Sequence, residues 1–234
     1  MGYRKKRVNL PRLCAIKKIK VAKQPKQRKE TMILKNFIVF EGIDGAGTST
    51  QIKKLAERFE DGKIFVTAEP TSGETGKFLR KMLRGDFKVD EKTAAFLFAA
   101  DRCEHLFGKD GIVEQTEKGK IAVSDRYFFS SLAYQSVTCG KELPEHLNSV
   151  FPLPEILFYF KIDPEISLAR VNSRGEAKEI YEKISFQKKT AELYDAIINE
   201  YRGTKGEGMK IIEVDASKPI DEISEFIWNE CNRD

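Results

Sequence analysis

No stretch of this 234-residue chain comes near the roughly 18 consecutive apolar residues of a membrane span, so no transmembrane helix is expected. Cysteine is sparse: Cys14, Cys103, Cys139 and Cys231 lie far apart with no two-residue spacing, and the only histidines are His105 and His146. Neither a zinc site nor a disulfide framework is supported, and a reducing cytoplasm fits best. Both histidines read as surface residues. Internal repeats are absent, and no proline- or glycine-rich linker divides 32–234, which therefore reads as one domain.

Acid is also nearly missing from the N-terminus. Residues 1–31 hold 12 Lys or Arg against one acid, Glu30; removing these from the 41 basic and 36 acidic residues of the whole leaves 29 and 35 for 32–234. The net +5 thus belongs to a basic extension over 1–31. Nucleic acid or an acidic membrane surface is a conceivable partner for it. The favoured reading is a solvated disordered arm or an over-extended translation start, since Met32 directly precedes the first strand. No uninterrupted apolar core follows the charges, so it is a poor export signal, while an organelle transit peptide stays compatible. Lys6 stands where myristoylation needs Ser or Thr.

What is present centres on Phe37 to Gln51. An apolar run ends at Phe40, glycines follow at 42, 45 and 47, and a helical pattern begins with Thr50, Ile52, Leu55, Ala56 and Phe59. Strand, glycine-rich turn and helix together point successive backbone N–H groups and a helix N-terminus at one spot, where an anion can sit. Gly42 to Ser49 fits the phosphate-loop spacing at every position but one: Thr48 stands where the lysine belongs. The competing reading is a turn whose glycines only relieve backbone strain.

Further along, strands are expected at 63–67, 121–123, 156–162 and 210–214, and helices at 76–83, 90–107, 111–117, 127–136, 164–171, up to about 201, and 219–228. Short apolar strands separated by helices imply a parallel sheet covered on both faces. Ligands then sit at the carboxyl ends of the strands, which puts the glycine loop, Glu69, Asp125 and Asp163 along one rim. A carboxylate at Asp125 can hold Mg²⁺ directly or through water, and Arg126 can bridge phosphates; the alternative is a structural ion pair capping the next helix. Phe98 and Arg102, one turn apart on a helix, can stack on a base and reach a phosphate or base edge, although Phe98 alone reads as core.

In combination these pieces resemble the thymidylate kinases. The resemblance runs in order from about 32 to 200 through Phe-Glu-Gly-Ile-Asp-Gly-Ala-Gly at 40–47, Glu69-Pro70-Thr71, Leu79-Arg80-Lys81, Leu97 to Arg102, Asp125 to Gln135, Phe160 to Arg170 and Asn172 to Arg174. It implies an α/β, three-layer P-loop NTPase fold with a parallel central sheet flanked by helices and a short lid. It also implies transfer of the ATP γ-phosphoryl group to dTMP in dTTP synthesis, with Mg²⁺, by a homodimer. Carried over by position, Phe98 stacks on thymine, Gln135 and Arg102 bond its edge, and Ser131 and Tyr134 crowd the sugar. Arg80 and Arg126 bind phosphate, and Asp44 lies near the acceptor 3′-hydroxyl and the metal. Gly42, Gly45, Ala46, Gly47, Thr48, Ser49 and Thr50 form the ATP-phosphate loop, with Ser49 and Asp125 toward Mg²⁺. Arg174 and Lys178 fall in the lid, and Glu69 is a loop carboxylate near the metal or a helix cap.

Two positions depart from the pattern. Thr48 replaces the lysine, and Ala68 stands where bacterial-type relatives usually have arginine. Losing one charge-assisted hydrogen bond of ~1.5–3 kcal/mol slows a reaction ~10- to 150-fold. Arg174 or Lys178 supplying the charge, a slow enzyme, and a degenerate nucleotide-binding protein are the three consequences considered, in that order. A deoxynucleoside kinase shares fold and loop but needs a base for its 5′-hydroxyl acceptor, with Glu41 or Asp125 the candidates; the cluster Arg80, Arg102, Arg126 argues instead for an acceptor that already carries phosphate.

Overall fold

A computed structural model describes residues 32–173 and 183–233. The extension over 1–31 and the lid residues Arg174 and Lys178 lie outside the described residues. Five strands form one sheet: β1 (Ile33–Gly42), β2 (Ile64–Ala68), β3 (Ile121–Asp125), β4 (Leu153–Lys161) and β5 (Lys210–Asp215). Their order is β2-β3-β1-β4-β5, with every pairing parallel. Parallel neighbours need crossover connections, and the alternation read in the sequence supplies helices for them.

The helices are α1 (Thr48–Ala56), α2 (Glu74–Leu83), α3 (Glu91–Phe107), α4 (Ile112–Glu117), α5 (Phe128–Cys139), α6 (Glu142–Asn148), α7 (Pro164–Ser173), α8 (Ile184–Glu200) and α9 (Ile220–Cys231). In β1 every residue from Phe37 to Gly42 is buried, so both faces of the central strand are covered. Alternate side chains separate the two faces. Phe37 meets Tyr127 edge-on at 5.1 Å and Glu41 reaches α5 and α8, whereas Phe40 packs on Phe158 and Phe160. Each such fully buried aromatic contributes roughly 1.5–3 kcal/mol. No helix among the described residues is long and apolar enough to cross a membrane.

Some elements differ from expectation for local reasons. β1 begins at Ile33, directly after Met32 as expected, but it is irregular in its first half: polar Lys35 and Asn36 interrupt the apolar run, Asn36 has φ 59°, and the pairing with β4 shifts register between Leu34 and Ile38. Glu155 accepts from the Asn36 N–H at 2.7 Å and from Lys35 at 2.8 Å, which satisfies the irregular stretch. α1 starts at Thr48, two residues early, because Gly47 already takes the turn (φ 95°). α6 was not expected; it is short, and Pro144 within its first turn masks it in the sequence.

The registers fix where the loops emerge. Phe40 and Ala68 both pair with Asp125, and Gly42 pairs with Phe160. The carboxyl ends of β1, β2, β3 and β4 therefore open on one rim, the usual ligand edge of a parallel sheet.

Candidate active site

The glycine loop joins β1 to α1. Gly45 has φ +84°, and a Cβ there would lie 2.4 Å from the Ser167 carbonyl oxygen of α7, so conformation and space both demand glycine. Gly47 has open space around it and needs glycine for its φ of +95° alone. As the N-cap of α1 it offers no side chain, so no side-chain cap covers the first-turn N–H groups of Thr48, Ser49 and Thr50. Uncapped donors at the positive end of a helix form an anion cradle.

Beside the loop, the Ser49 hydroxyl donates to Asp125 Oδ2 at 2.5 Å. A hydroxyl and a carboxylate as neighbours are hard oxygen donors of the kind Mg²⁺ takes. The described residues hold no cluster of three or more His, Cys, Asp or Glu that could hold a metal.

Arg126 follows Asp125 with φ 71°, in the left-handed region that costs a non-glycine residue about 1–2 kcal/mol. The turn is held by its N–H on the Phe40 carbonyl at 2.9 Å and brings the side chain back over the loop. Nη2 donates to Asp44 Oδ1 at 2.6 Å, and Nη1 donates to the Gly42 carbonyl at 2.9 Å, Ser130 Oγ at 3.0 Å and Tyr194 OH at 3.4 Å. The guanidinium also lies over the Tyr134 ring at 5.4 Å. Asp44 accepts from Gln187 at 2.8 Å through its other oxygen, while its N–H donates to Tyr134 OH at 3.2 Å.

Asp44, Ser49, Asp125, Arg126, Ser130 and Tyr134 line a cleft of about 540 Å³ that Arg80, Phe98, Arg102, Ser131 and Gln135 line as well. Phe98 is half-buried, packed against the core on one side and lining this space. Gln135 is buried, lines the cleft, and its Oε1 has no protein partner among the described residues. Arg80 on α2 is exposed and bonds the Pro70 carbonyl.

Arg102 also lines the cleft, but it is buried and four of its five N–H groups are committed. Nε and Nη2 donate to Glu69 at 2.9 and 2.6 Å, Nη2 to Ser131 Oγ at 3.0 Å, and Nη1 to Asn148 Oδ1 at 2.5 Å. Glu69 lines the cleft as the buried partner of Arg102 and His105, and it does not cap the following helix, whose N-cap is Gly73 with no side-chain cap. His105 is corrected as well: it is buried, bridging Thr67 Oγ1 at 2.7 Å and Glu69 Oε1 at 3.1 Å.

Sequence reasoning missed four contributors. Asp101 accepts from the Thr71 N–H at 2.8 Å and its hydroxyl at 2.6 Å, fixing the loop after Glu69; it stood unremarked beside Arg102. Ser130, Gln187 and Tyr194 support Arg126 and Asp44 from α5 and α8, and Gln187 and Tyr194 look like ordinary helix residues more than 140 positions from the loop. Glu41 was weighed only as a base. It is fully buried, does not line the cleft, and accepts hydrogen bonds from Tyr127, Ser130 and Tyr194. Burial pushes its carboxyl up to about 7, against the pull of Arg126 and those donors. It is not placed to take a proton from an acceptor in the cleft.

The thymidylate kinase family profile matches residues 40–227. The chain belongs to the thymidylate kinase family. A relative from Treponema pallidum is 44% identical over 83% of this chain and 94% of its own length. One from Methanococcus maripaludis is 40% identical over 84% and 94%, and one from Leptospira borgpetersenii 38% over 80% and 88%. The names of all three contain the words thymidylate kinase. This thymidylate kinase-family chain keeps the family's sheet and glycine loop while Thr48 and Ala68 line its cleft. Among the described lining residues the only cations are Arg80, Arg102 and Arg126.

Proposed function

We propose that the cleft carries out the transfer of the ATP γ-phosphoryl group to dTMP, giving dTDP and ADP for dTTP synthesis. The observation that carries the reading is the continuity of one cleft from the anion cradle of α1 to Gln135, whose buried amide oxygen lines it without a protein partner. A thymine ring presents an N–H donor beside a carbonyl acceptor, which a glutamine amide can match with its own acceptor and donor. Phe98 stacks on the ring, Arg102 completes the polar wall, and Ser131 and Tyr134 fill the space a ribose 2′-hydroxyl would need.

The acceptor phosphate is already a nucleophile. One of its oxygens forms a bond to the γ-phosphorus as the bond to the ADP oxygen breaks, so the protein's work is alignment and charge neutralisation. Gly42 to Thr50 hold the donor phosphates, Arg80 and Arg126 hold the acceptor, and Asp44 orients Arg126 beside the sugar 3′-hydroxyl. Ser49 and Asp125 would hold Mg²⁺, which neutralises charge on the donor phosphates. Arg174 and Lys178 are the cations we assign to the role Thr48 vacates. A phosphate-free acceptor is less suited to this cleft, since three arginines line it and, of the two candidate bases, Glu41 is outside it and Asp125 is engaged by Ser49.

The enzyme is read as a cytoplasmic homodimer. α3 supports this: Phe96 and Phe107 are 55% and 53% exposed and, with exposed Ala100 and Cys103, form one stripe. Its large-small-small-large pattern is self-complementary about a two-fold axis, where antiparallel copies set Phe96 beside Phe107 and let the small residues approach.

The test is steady-state ADP formation from ATP and Mg²⁺ with dTMP, thymidine or no acceptor. Turnover with dTMP alone is expected, and Thr48→Lys is expected to raise it if the vacated charge is only partly replaced. Nucleotide binding without turnover on either acceptor would replace the catalytic reading with a binding protein.

A further inference from the structure

Glu41 is a buried carboxyl, ionised above about pH 7, that the transfer itself does not use. Its Oε1 accepts from the N–H groups of Tyr127 at 2.7 Å and Ser130 at 3.1 Å, and its Oε2 from the hydroxyls of Ser130 at 2.7 Å and Tyr194 at 2.8 Å. A hydroxyl has one proton and two lone pairs. With both protons given to Glu41, Ser130 and Tyr194 can turn only lone pairs toward Arg126, whose Nη1 donates to both. The two hydroxyl oxygens are themselves 2.8 Å apart. A proton not drawn to Glu41 would therefore lie between them or point at the guanidinium, where it opposes the Arg126 donor.

We propose that Glu41 is a positioning residue for phosphoryl transfer: its carboxylate orders the Ser130 and Tyr194 protons so that both hydroxyls accept from Arg126 and hold it over the glycine loop. The inference rests on the role given above to Arg126. The charged and titratable groups facing this hub are Arg126 and Tyr127 after β3, Tyr134 on α5, Tyr159 on β4, Tyr194 on α8, and Asp44 across Arg126. Burial, and then the charge of Glu41, push the Tyr194 phenol well above its ordinary value, so it keeps the proton it donates. A glutamine of the same shape would avoid burying charge, yet its amide would donate to the hydroxyls and turn their protons on Arg126.

The experiment measures kcat and the KM values for ATP and dTMP in the full chain and in Glu41→Gln, Tyr194→Phe, their double variant and Ser130→Ala. Glu41→Gln is expected to lower kcat about 10- to 100-fold, the scale of a misplaced catalytic group, with KM for ATP within about two-fold. Tyr194→Phe alone loses the long contact to Arg126 and one donor to Glu41, while Ser130 still bonds both, so it should cost a few-fold. The double variant should be no slower than Glu41→Gln, because the opposing proton leaves with the hydroxyl. A Glu41→Gln kcat within about two-fold of wild type, or additive losses in the double variant, overturns the proposal. Should Glu41→Gln fail to fold, Ser130→Ala decides: about ten-fold lower kcat at unchanged KM for ATP supports the proposal, and unchanged kcat overturns it. Arg126→Ala in parallel separates the two failures. Full activity there removes the role of Arg126, whereas an inactive Arg126→Ala beside an active Glu41→Gln removes only the role of Glu41.

Discussion

Burial that raises the Glu41 carboxyl from 4.5 to about 7 makes it a pH-dependent load on the fold. Between those values the folded protein keeps a proton that the unfolded chain has released, so this residue's contribution is full below pH 4.5 and is lost as pH rises to about 7. The span amounts to ~3 kcal/mol at 1.36 kcal/mol per pH unit. Urea unfolding of wild type and Glu41→Gln from pH 4 to 8 should show the stability difference moving about 3 kcal/mol in the variant's favour. A difference constant across that range would mean the carboxyl titrates normally. Residues of this kind were the least legible. Gly42 to Ser49 and Asp125-Arg126 declare themselves because backbone and phosphate chemistry restrict which residues fit there. The hub of Glu41, Ser130 and Tyr194 is joined only by folding, with 153 positions between Glu41 and Tyr194.

At the scale of elements, α3 does two jobs on two faces. Inward it presents Phe98, Asp101, Arg102 and His105 to the cleft and the Glu69 loop; outward it exposes Phe96 and Phe107. Phe96→Asp with Phe107→Asp should therefore convert a dimer into a monomer by sedimentation, with a melting temperature that is lower and no longer depends on protein concentration, since the folded state loses the stabilisation of association. A wild-type monomer at micromolar concentration, or a dimer that survives both substitutions, removes α3 as the contact. Most helices and strands were legible because apolar periodicity dominates their sequences. The exception, α6, has a local cause: a proline in its first turn.

For the whole molecule, the boundary at Met32 is the useful test. The sheet's hydrogen bonding reaches back to the Met32 carbonyl, which accepts from the Leu153 N–H at 2.9 Å. A chain starting at Met32 keeps that bond and carries 29 basic against 35 acidic residues. It should match the full chain within about 2 °C in melting temperature and about two-fold in kcat. A larger fall in either would make residues 1–31 part of the working enzyme. The parallel architecture itself was readable from alternation, whereas the order β2-β3-β1-β4-β5 was not: periodicity shows that a strand exists but not its neighbour.

That order has a consequence during synthesis. β1 lies at the centre of the sheet, yet its partners are residues 121–125 and 153–160. At ~5–20 residues per second, the ribosome delivers the second partner roughly 5–25 s after the first strand has emerged. Until the first partner emerges Phe37-Ile38-Val39-Phe40 is a sticky segment with both edges unmatched, and one edge stays open for the rest of the interval. The strand that ends up most protected in the finished enzyme is thus the most vulnerable part of the nascent one, and the natural client site for a chaperone.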